Sequence, residues 1–186
     1  MLKTRLAAAL VLTFLLPVFG EGAHNLTLNP RLNYKRNNYQ GPLIRGENML
    51  GTVKPGVPNY ISFYAEFCYN AKRQARTTVD LYNKYKGRVH FVIIDFNYGW
   101  SAAQNKLVMK YFAHNIPQTV ILDSKGRPVF DYIGQTPEPA LKSWLNAVIE
   151  YPEVLPVVDH PMDTPQETVD PTATRFTPVT KILKKL

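Results

Sequence analysis

A short apolar segment that ends in a cysteine-bearing turn is the feature that most constrains the fold of this chain. Residues 60–64 are apolar and rich in aromatic side chains, and the turn after them contains Cys68, the single cysteine among 186 residues. A helix-favouring stretch then begins near Asn70 or Ala71. An apolar run of this length, bounded by a turn, is typical of a buried strand. The segment therefore predicts a strand, a tight turn and a helix, with the cysteine at the junction.

The position of Cys68 favours a reactive sulfur. Unsatisfied N–H groups and the positive end of the helix dipole at a helix N-terminus stabilise thiolate over thiol. Lys72 and Arg73 lie within one turn and act in the same direction. A lone cysteine in an exported chain forms no internal disulfide, so it is either a buried apolar side chain or a thiol that pairs with another molecule. The helix-start context favours the second interpretation.

The central region continues as an alternation of strand and helix patterns. Apolar residues at three- and four-residue intervals, from Ala75 to Tyr85, predict the buried side of the first helix. Ser101 is suited to cap a second helix, and Pro117 at the start of a later strand indicates an edge or a special site. The order predicts an α/β fold, with a mixed central sheet and helices on both faces. The predicted elements after the cysteine turn are helix 71–86, strand 89–94, helix 102–114, strand 116–122, strand 128–133 and a last helix opened by Thr136 and Pro137.

This order and its landmarks resemble the thioredoxin family. Residues 63–72 read Phe-Tyr-Ala-Glu-Phe-Cys-Tyr-Asn-Ala-Lys, where thioredoxins carry Phe-Trp-Ala-Glu-Trp-Cys-Gly-Pro-Cys-Lys. Ile116 and Pro117 stand where the family has Ile-Pro with the proline in cis, and Gly134 matches the glycine that ends the family's final hairpin. The resemblance covers about residues 57–150 and implies a thioredoxin-like domain there.

The same comparison with the family reveals several departures. Ala71 replaces the second cysteine, so Cys68 has no resolving partner in the chain. Ser62 stands in place of the family's buried aspartate, and Phe91 in place of the lysine that accompanies it, so the proton-handling pair is absent. Tyr69 puts an aromatic ring beside the sulfur. The resemblance thus implies thiol chemistry without a self-contained dithiol cycle.

The resemblance also implies a groove for a peptide segment. In this fold the groove is formed by the cysteine turn, the residues at the cis-proline position and the glycine of the last hairpin. The matching residues are Phe67, Tyr69, Ile116, Pro117 and Gly134. Exposed backbone in such a groove pairs with a partner peptide without chemistry. For Phe67, Ile116 and Pro117 the alternative is a purely structural role in turn formation and core cover.

The two ends of the chain differ from the central region. Residues 1–22 combine a charged start, an apolar segment and glycines at plausible cleavage points, which predicts a secretory signal peptide; an uncleaved membrane anchor is the alternative. Residues 23–56 are polar, basic and interrupted by proline, which predicts an extended or poorly ordered lead-in. Residues 151–186 are proline-rich and predict a disordered or extended tail. Its basic end, residues 181–186, is either solvated or in contact with a membrane surface or partner.

Composition restricts the partners that we expect. The net charge is +8, but the basic residues are spread along the chain, which is typical of a solvated surface and not of a nucleic-acid site. The four histidines show no metal-ligand spacing, so we expect no metal and no other cofactor. The signal sequence predicts an exported protein, located in a periplasm, a lumen or the extracellular space.

Two functions remain open at this point. In the first, Cys68 forms mixed disulfides with extracytoplasmic proteins or glutathione, as a monothiol thiol–disulfide oxidoreductase whose release step needs an outside thiol. In the second, the chain is a non-catalytic thioredoxin-like binding module that holds a partner through the groove or the tails. A Cys68-linked dimer is a third hypothesis, so the expected state is a monomer or that dimer.

Overall fold

The fold is an alternation of strands and helices around one central sheet. The computed structural model describes residues 21–36 and 41–158. In chain order, the elements within these ranges are β1 (His24–Leu28), β2 (Ile44–Glu47), β3 (Asn59–Tyr64), α1 (Tyr69–Tyr85), β4 (His90–Asp95), α2 (Ala102–Tyr111), β5 (Gln118–Leu122), β6 (Pro128–Ile133) and α3 (Glu138–Glu150).

The central sheet has the strand order β4-β3-β5-β6. Strand β3 pairs in parallel with β4 and antiparallel with β5, and β6 pairs antiparallel with β5. Ile61, for example, lies opposite Val92 on one side and Val120 on the other. Every residue of β3 is buried, which explains why its sequence is a continuous apolar run. The predicted mixed sheet is confirmed.

Helices cover both faces of this sheet. Because side chains alternate along a strand, Tyr60 and Tyr64 of β3 point to one face, and Ile61 and Phe63 point to the other. The first face packs with buried residues of α1 and α3 in one core cluster. The second face packs with buried residues of α2 in another. The predicted α/β fold class is therefore confirmed.

Side-chain hydrogen bonds set the two ends of α2. The Ser101 hydroxyl accepts from the N–H of Gln104, as the capping prediction requires. The helix ends at Tyr111, earlier than the sequence pattern predicted. There the side-chain amide of Gln118 donates to the Tyr111 carbonyl and accepts from the N–H of Ala113. These side-chain bonds replace helical hydrogen bonds and stop the helix, and the spacing of apolar residues does not reveal them.

The lead-in before the central domain was predicted to be extended or poorly ordered, and its described part forms extended strands. Strands β1 and β2 pair antiparallel in a separate two-stranded sheet. Leu26, Leu43 and Ile44 are almost fully buried and belong to the core cluster that contains α1. The N–H of Asn25 also donates to the hydroxyl of Tyr82 on α1, over 2.7 Å. A few well-placed leucines thus order a segment whose overall composition is polar.

The first residues after α3 also pack against the domain. Leu155 is buried, and the N–H of Val158 donates to the Pro128 carbonyl over 2.8 Å. Of the two alternatives for the tail, disorder is therefore wrong for this part. The predicted signal segment up to residue 20, the tail from residue 159 and its basic end lie outside the described residues. In the part of the chain that is described, no helix has the length and apolar character needed to cross a bilayer.

Candidate functional site

Cys68 occupies the position immediately before α1. Its backbone is extended, with φ −93° and ψ 117°, and its carbonyl accepts from the N–H of Lys72, the first bond of the helix. Its own N–H donates to the Ala65 carbonyl and closes the turn after β3. The thiol is partly exposed and forms no disulfide. The predicted placement at a strand–helix junction is confirmed, with the helix beginning at Tyr69.

The Ile116–Pro117 segment, which precedes β5, lies beside the thiol. Sγ of Cys68 lies 3.6 Å from the Ile116 carbonyl oxygen, although 48 positions separate the two residues. The Ile116–Pro117 peptide bond is cis. The N–H of Gly134 donates to the Pro117 carbonyl over 2.7 Å, and Gly134 has φ +112°, which favours glycine. The fold thus brings the cysteine turn, the proline and the hairpin glycine to one place.

Exposed aromatic residues flank the thiol on its own turn. Phe67 is 62% exposed and Tyr69 is 42% exposed, while Ile116 is half-buried and Pro117 is buried. Structural core cover does not explain Phe67, because most of its side chain is in solvent. A peptide-binding role for these residues stays a prediction.

Lys72 and Arg73 occupy different environments. The Lys72 side chain is fully buried, and its ammonium donates to the Arg36 carbonyl over 2.9 Å. Burial lowers the pKa of this ammonium. Lys72 therefore connects α1 to the lead-in, a contact that the sequence pattern does not reveal. Arg73 is exposed on the first turn of the helix. Their predicted effect on the thiolate of Cys68 stays a prediction.

Three of the positions that depart from the thioredoxin pattern are interior. Ala71, Ser62 and Phe91 are buried. Ser62 lies in the middle of β3, opposite Thr119, and Phe91 lies on β4 against the ring of Tyr60. Neither side chain ionises, so these two positions hold no proton acceptor behind the cysteine.

A carboxylate that the sequence analysis missed lies at the end of β4. Asp95 is in register with Tyr64, and its side chain accepts from the N–H of Asn97 over 2.9 Å. Burial raises the pKa of Asp95 to about 6 against the opposing effect of that hydrogen bond, and burial also raises the pKa of Tyr64 well above its usual range. The only available signal was an aspartate that ends an apolar strand. Tyr64, the residue opposite it on β3, was predicted only as part of the buried strand.

Replacing Asp95 by asparagine should stabilise the protein above pH 6. Since the folded-state pKa lies above the ordinary 3.8, the folded state binds this proton more tightly, and stability falls as pH rises from about 4 to about 6. One pKa unit corresponds to about 1.4 kcal/mol, so Asp95→Asn should gain about 1–3 kcal/mol at pH 7.5 relative to its effect at pH 4. Urea unfolding at both pH values measures this. Exposed Asp80→Asn is the control, and an equal effect of Asp95→Asn at both pH values would contradict the prediction.

No group of three or more histidine, cysteine, aspartate or glutamate side chains within residues 21–36 and 41–158 is arranged to hold an ion.

Curated relatives match the chain over about half of its length. A thiol:disulfide interchange protein TxlA homolog from Synechocystis sp. is 28% identical over 97 residues, 52% of this chain and 52% of the relative. The thiol:disulfide interchange protein TxlA of Synechococcus elongatus is 31% identical over 94 residues, 50% of this chain and 47% of the relative. The chain therefore spans about half the length of the curated relatives that it matches. No family model matches it.

Solved structures of similar shape include the germline-specific thioredoxin Deadhead of Drosophila melanogaster. That structure is 22% identical with a TM-score of 0.41, over 49% of this chain and 80% of the thioredoxin. A malarial protein is 16% identical with a TM-score of 0.41, over 50% of this chain and 98% of that protein.

The strand order, the proline segment and the cysteine at the helix start together define a thioredoxin-like α/β fold. The chain thus resembles the thioredoxin family in fold, and it is similar in sequence to two thiol:disulfide interchange proteins over about half of its length.

Proposed function

We propose that this chain is an extracytoplasmic thioredoxin-like protein that carries out thiol–disulfide exchange through Cys68. The observation that supports the proposal most is the partly exposed thiol at the N-terminus of α1, with Sγ 3.6 Å from the carbonyl oxygen of Ile116. A partly exposed cysteine at the start of a helix is placed where its thiol can exchange with a partner disulfide. The names of the two curated relatives, which contain thiol:disulfide interchange, agree with this chemistry.

The exchange step is a displacement at sulfur. The Cys68 thiolate attacks one sulfur of a partner disulfide, a Cys68–partner disulfide forms, and the partner's other sulfur leaves as a thiolate. Because Ala71 has no sulfur, the chain cannot resolve this mixed disulfide itself. Release therefore needs a second thiol, either glutathione or a further cysteine of the partner, which attacks the mixed disulfide and returns Cys68 to its thiolate.

In this proposal the groove beside the thiol selects the partner. Phe67 and Tyr69 supply exposed aromatic surface, and the backbone at Ile116 lies next to the sulfur. An extended peptide that places its cysteine against Cys68 would contact all three residues. The proposed partners are exported proteins with thiols or disulfides, and the proposed location outside the cytoplasm rests on the signal-like residues 1–22.

Trapping at the thiol tests the proposal. Cells that export the full chain are quenched in acid, free thiols are blocked, and the protein is isolated without reductant. We expect partner proteins or glutathione that dithiothreitol releases and that are absent from Cys68→Ser. Equal recovery with Cys68→Ser, or nothing released by reductant, would contradict exchange through Cys68.

The second candidate is a non-catalytic binding module. It is favoured by Ala71, Ser62 and Phe91, which remove the resolving thiol and the proton-handling pair. In that case Cys68→Ser would retain its partners, and Phe67→Ala would lose them. A disulfide dimer through Cys68 would be seen as a band of double mass on a non-reducing gel.

A further inference from the structure

A cleft separate from the thiol opens between the lead-in hairpin and the ends of β3 and β4. Its volume is about 400 Å³, within the range of small-molecule sites in proteins. Its wall on one side comes from β2 and the loop that follows it, including Ile44, Arg45 and Met49. Its other wall comes from the loop before α2, including Tyr98 and Trp100. The cleft exists because the lead-in is folded onto the domain.

The rim of the cleft is exposed and apolar. Leu50 is 56% exposed, Tyr98 is 50% exposed and Trp100 is 37% exposed, and all three line the cleft. The indole of Trp100 is held in place, because its Nε1–H donates to the Asp95 carbonyl over 3.0 Å and its ring packs edge-on against Phe96 at 4.9 Å. The aromatic wall is therefore formed before any ligand arrives.

The wall beneath the rim is fixed by Gln104. Its side-chain Nε2 donates to the carbonyls of Met49, Gly51 and Ile93, over 2.9, 3.2 and 3.1 Å. These bonds hold the loop after β2 against β4. The Gln104 amide N–H groups therefore bond to the protein's own backbone, and they hold the wall of the cleft in place.

Two polar atoms of the cleft residues are buried without a well-formed hydrogen bond. The hydroxyl of Tyr64, a residue only 2% exposed, and Oδ2 of Asp95 make no hydrogen bond of good geometry with any described residue, although the two side chains lie close enough for each to affect the pKa of the other. Both residues line the cleft. Native structures rarely leave such groups without a hydrogen bond unless there is a reason. A ligand that bonds to both atoms would supply the missing hydrogen bonds.

We propose that this cleft binds a small, flat, uncharged molecule, an aromatic alcohol or aromatic amine, whose donor group bonds to Asp95 and Tyr64. The aromatic and aliphatic walls select a flat apolar body. The carboxylate of Asp95 disfavours an anion, and the guanidinium of Arg45 on the opposite wall disfavours a cation. A hydroxyl or amino group of the ligand would donate to the Asp95 carboxylate and accept from the Tyr64 hydroxyl.

Titration with 2-naphthol tests the proposal on the folded full chain. The probe is followed by the indole N–H signal of Trp100 in ¹H–¹⁵N spectra, which Trp100→Phe assigns. We expect a saturable shift of this signal, and about 3- to 10-fold weaker binding of 2-fluoronaphthalene, which has nearly the same shape and no donor. Tyr64→Phe and Asp95→Asn should each weaken 2-naphthol by a similar factor. Met109→Ala, on an exposed site of α2 outside the cleft, should leave binding unchanged.

The outcomes separate this proposal from the function of the thiol. Cys68→Ser should bind 2-naphthol as the unmodified chain does, whatever the result of trapping at Cys68. No saturable shift of the Trp100 signal would overturn the proposal. Equal affinity for 2-naphthol and 2-fluoronaphthalene, with both polar variants unchanged, would also overturn it, because the unsatisfied polar atoms would then play no part.

Discussion

Replacing Ala71 by cysteine should convert a protein that forms mixed disulfides but cannot resolve them into a multiple-turnover disulfide reductase. Ala71 lies one helical turn after Cys68, is fully buried and occupies the position of the family's second cysteine. A thiol there would attack the Cys68–partner disulfide, release the reduced partner and leave an internal disulfide that dithiothreitol reduces. We expect the rate of insulin reduction to rise by at least about 10-fold over the unmodified chain, because an intramolecular thiol replaces a bimolecular step.

Insulin precipitation in the presence of dithiothreitol measures this gain. The matched control carries Ala71→Cys together with Cys68→Ser, and it should show only the background rate of dithiothreitol. Ala71→Cys alone could also stay at the background rate while remaining folded. That result would mean that the absence of the acid–base pair at Ser62 and Phe91 has disabled the site as well. The proposed attack by Cys68 would then lose its support.

Removing the carboxylate of Asp123 should cause a large loss of stability in the β5–β6 hairpin. Asp123 is fully buried and accepts from the N–H groups of Lys125 and Arg127, each over 2.9 Å. The Arg127 guanidinium donates to its other oxygen over 2.7 Å. Asp123→Ala leaves these donors without their acceptor, so we expect a loss of about 3–5 kcal/mol in the free energy of unfolding.

Urea unfolding monitored by tryptophan fluorescence measures this loss. Glu153→Ala removes the exposed ion pair with Lys125 in the same hairpin, and it should cost less than about 1 kcal/mol. A loss below about 1 kcal/mol for Asp123→Ala would show that water replaces the carboxylate in the turn. Because the same hairpin carries Gly134 toward Pro117, Asp123→Ala should also slow exchange at Cys68.

Local patterns predicted the elements around the site well. The apolar run of β3 and the helical spacing of Ala75, Val79 and Tyr82 reflect burial on one element, which periodicity reports directly. The bounds of β6 follow from a turn at one end and a glycine at the other. The prediction that Cys68 and Pro117 lie together came from the family resemblance, since no local pattern connects residues so far apart.

The parts that the sequence did not reveal depend on long-range contacts. The lead-in is polar on average, yet Leu26 and Leu43 are buried against α1. Lys72 was predicted to act on the thiol of Cys68, and the sequence did not reveal that its ammonium bonds to the Arg36 carbonyl. Tyr64 and Asp95 lie on different strands, and only the parallel register of β3 and β4 places them together. Composition and spacing contain no information about such contacts.

The rate at which iodoacetamide modifies Cys68 tests most directly whether this sulfur is exposed and partly ionised in the native protein. The reaction is followed by mass at pH 6.5, on the folded chain and on the same chain in concentrated urea. Faster modification of the folded chain is the expected result, because the helix N-terminus is lost on unfolding. A thiol that reacts only after denaturation would contradict exchange chemistry at Cys68 and leave the groove as a binding surface.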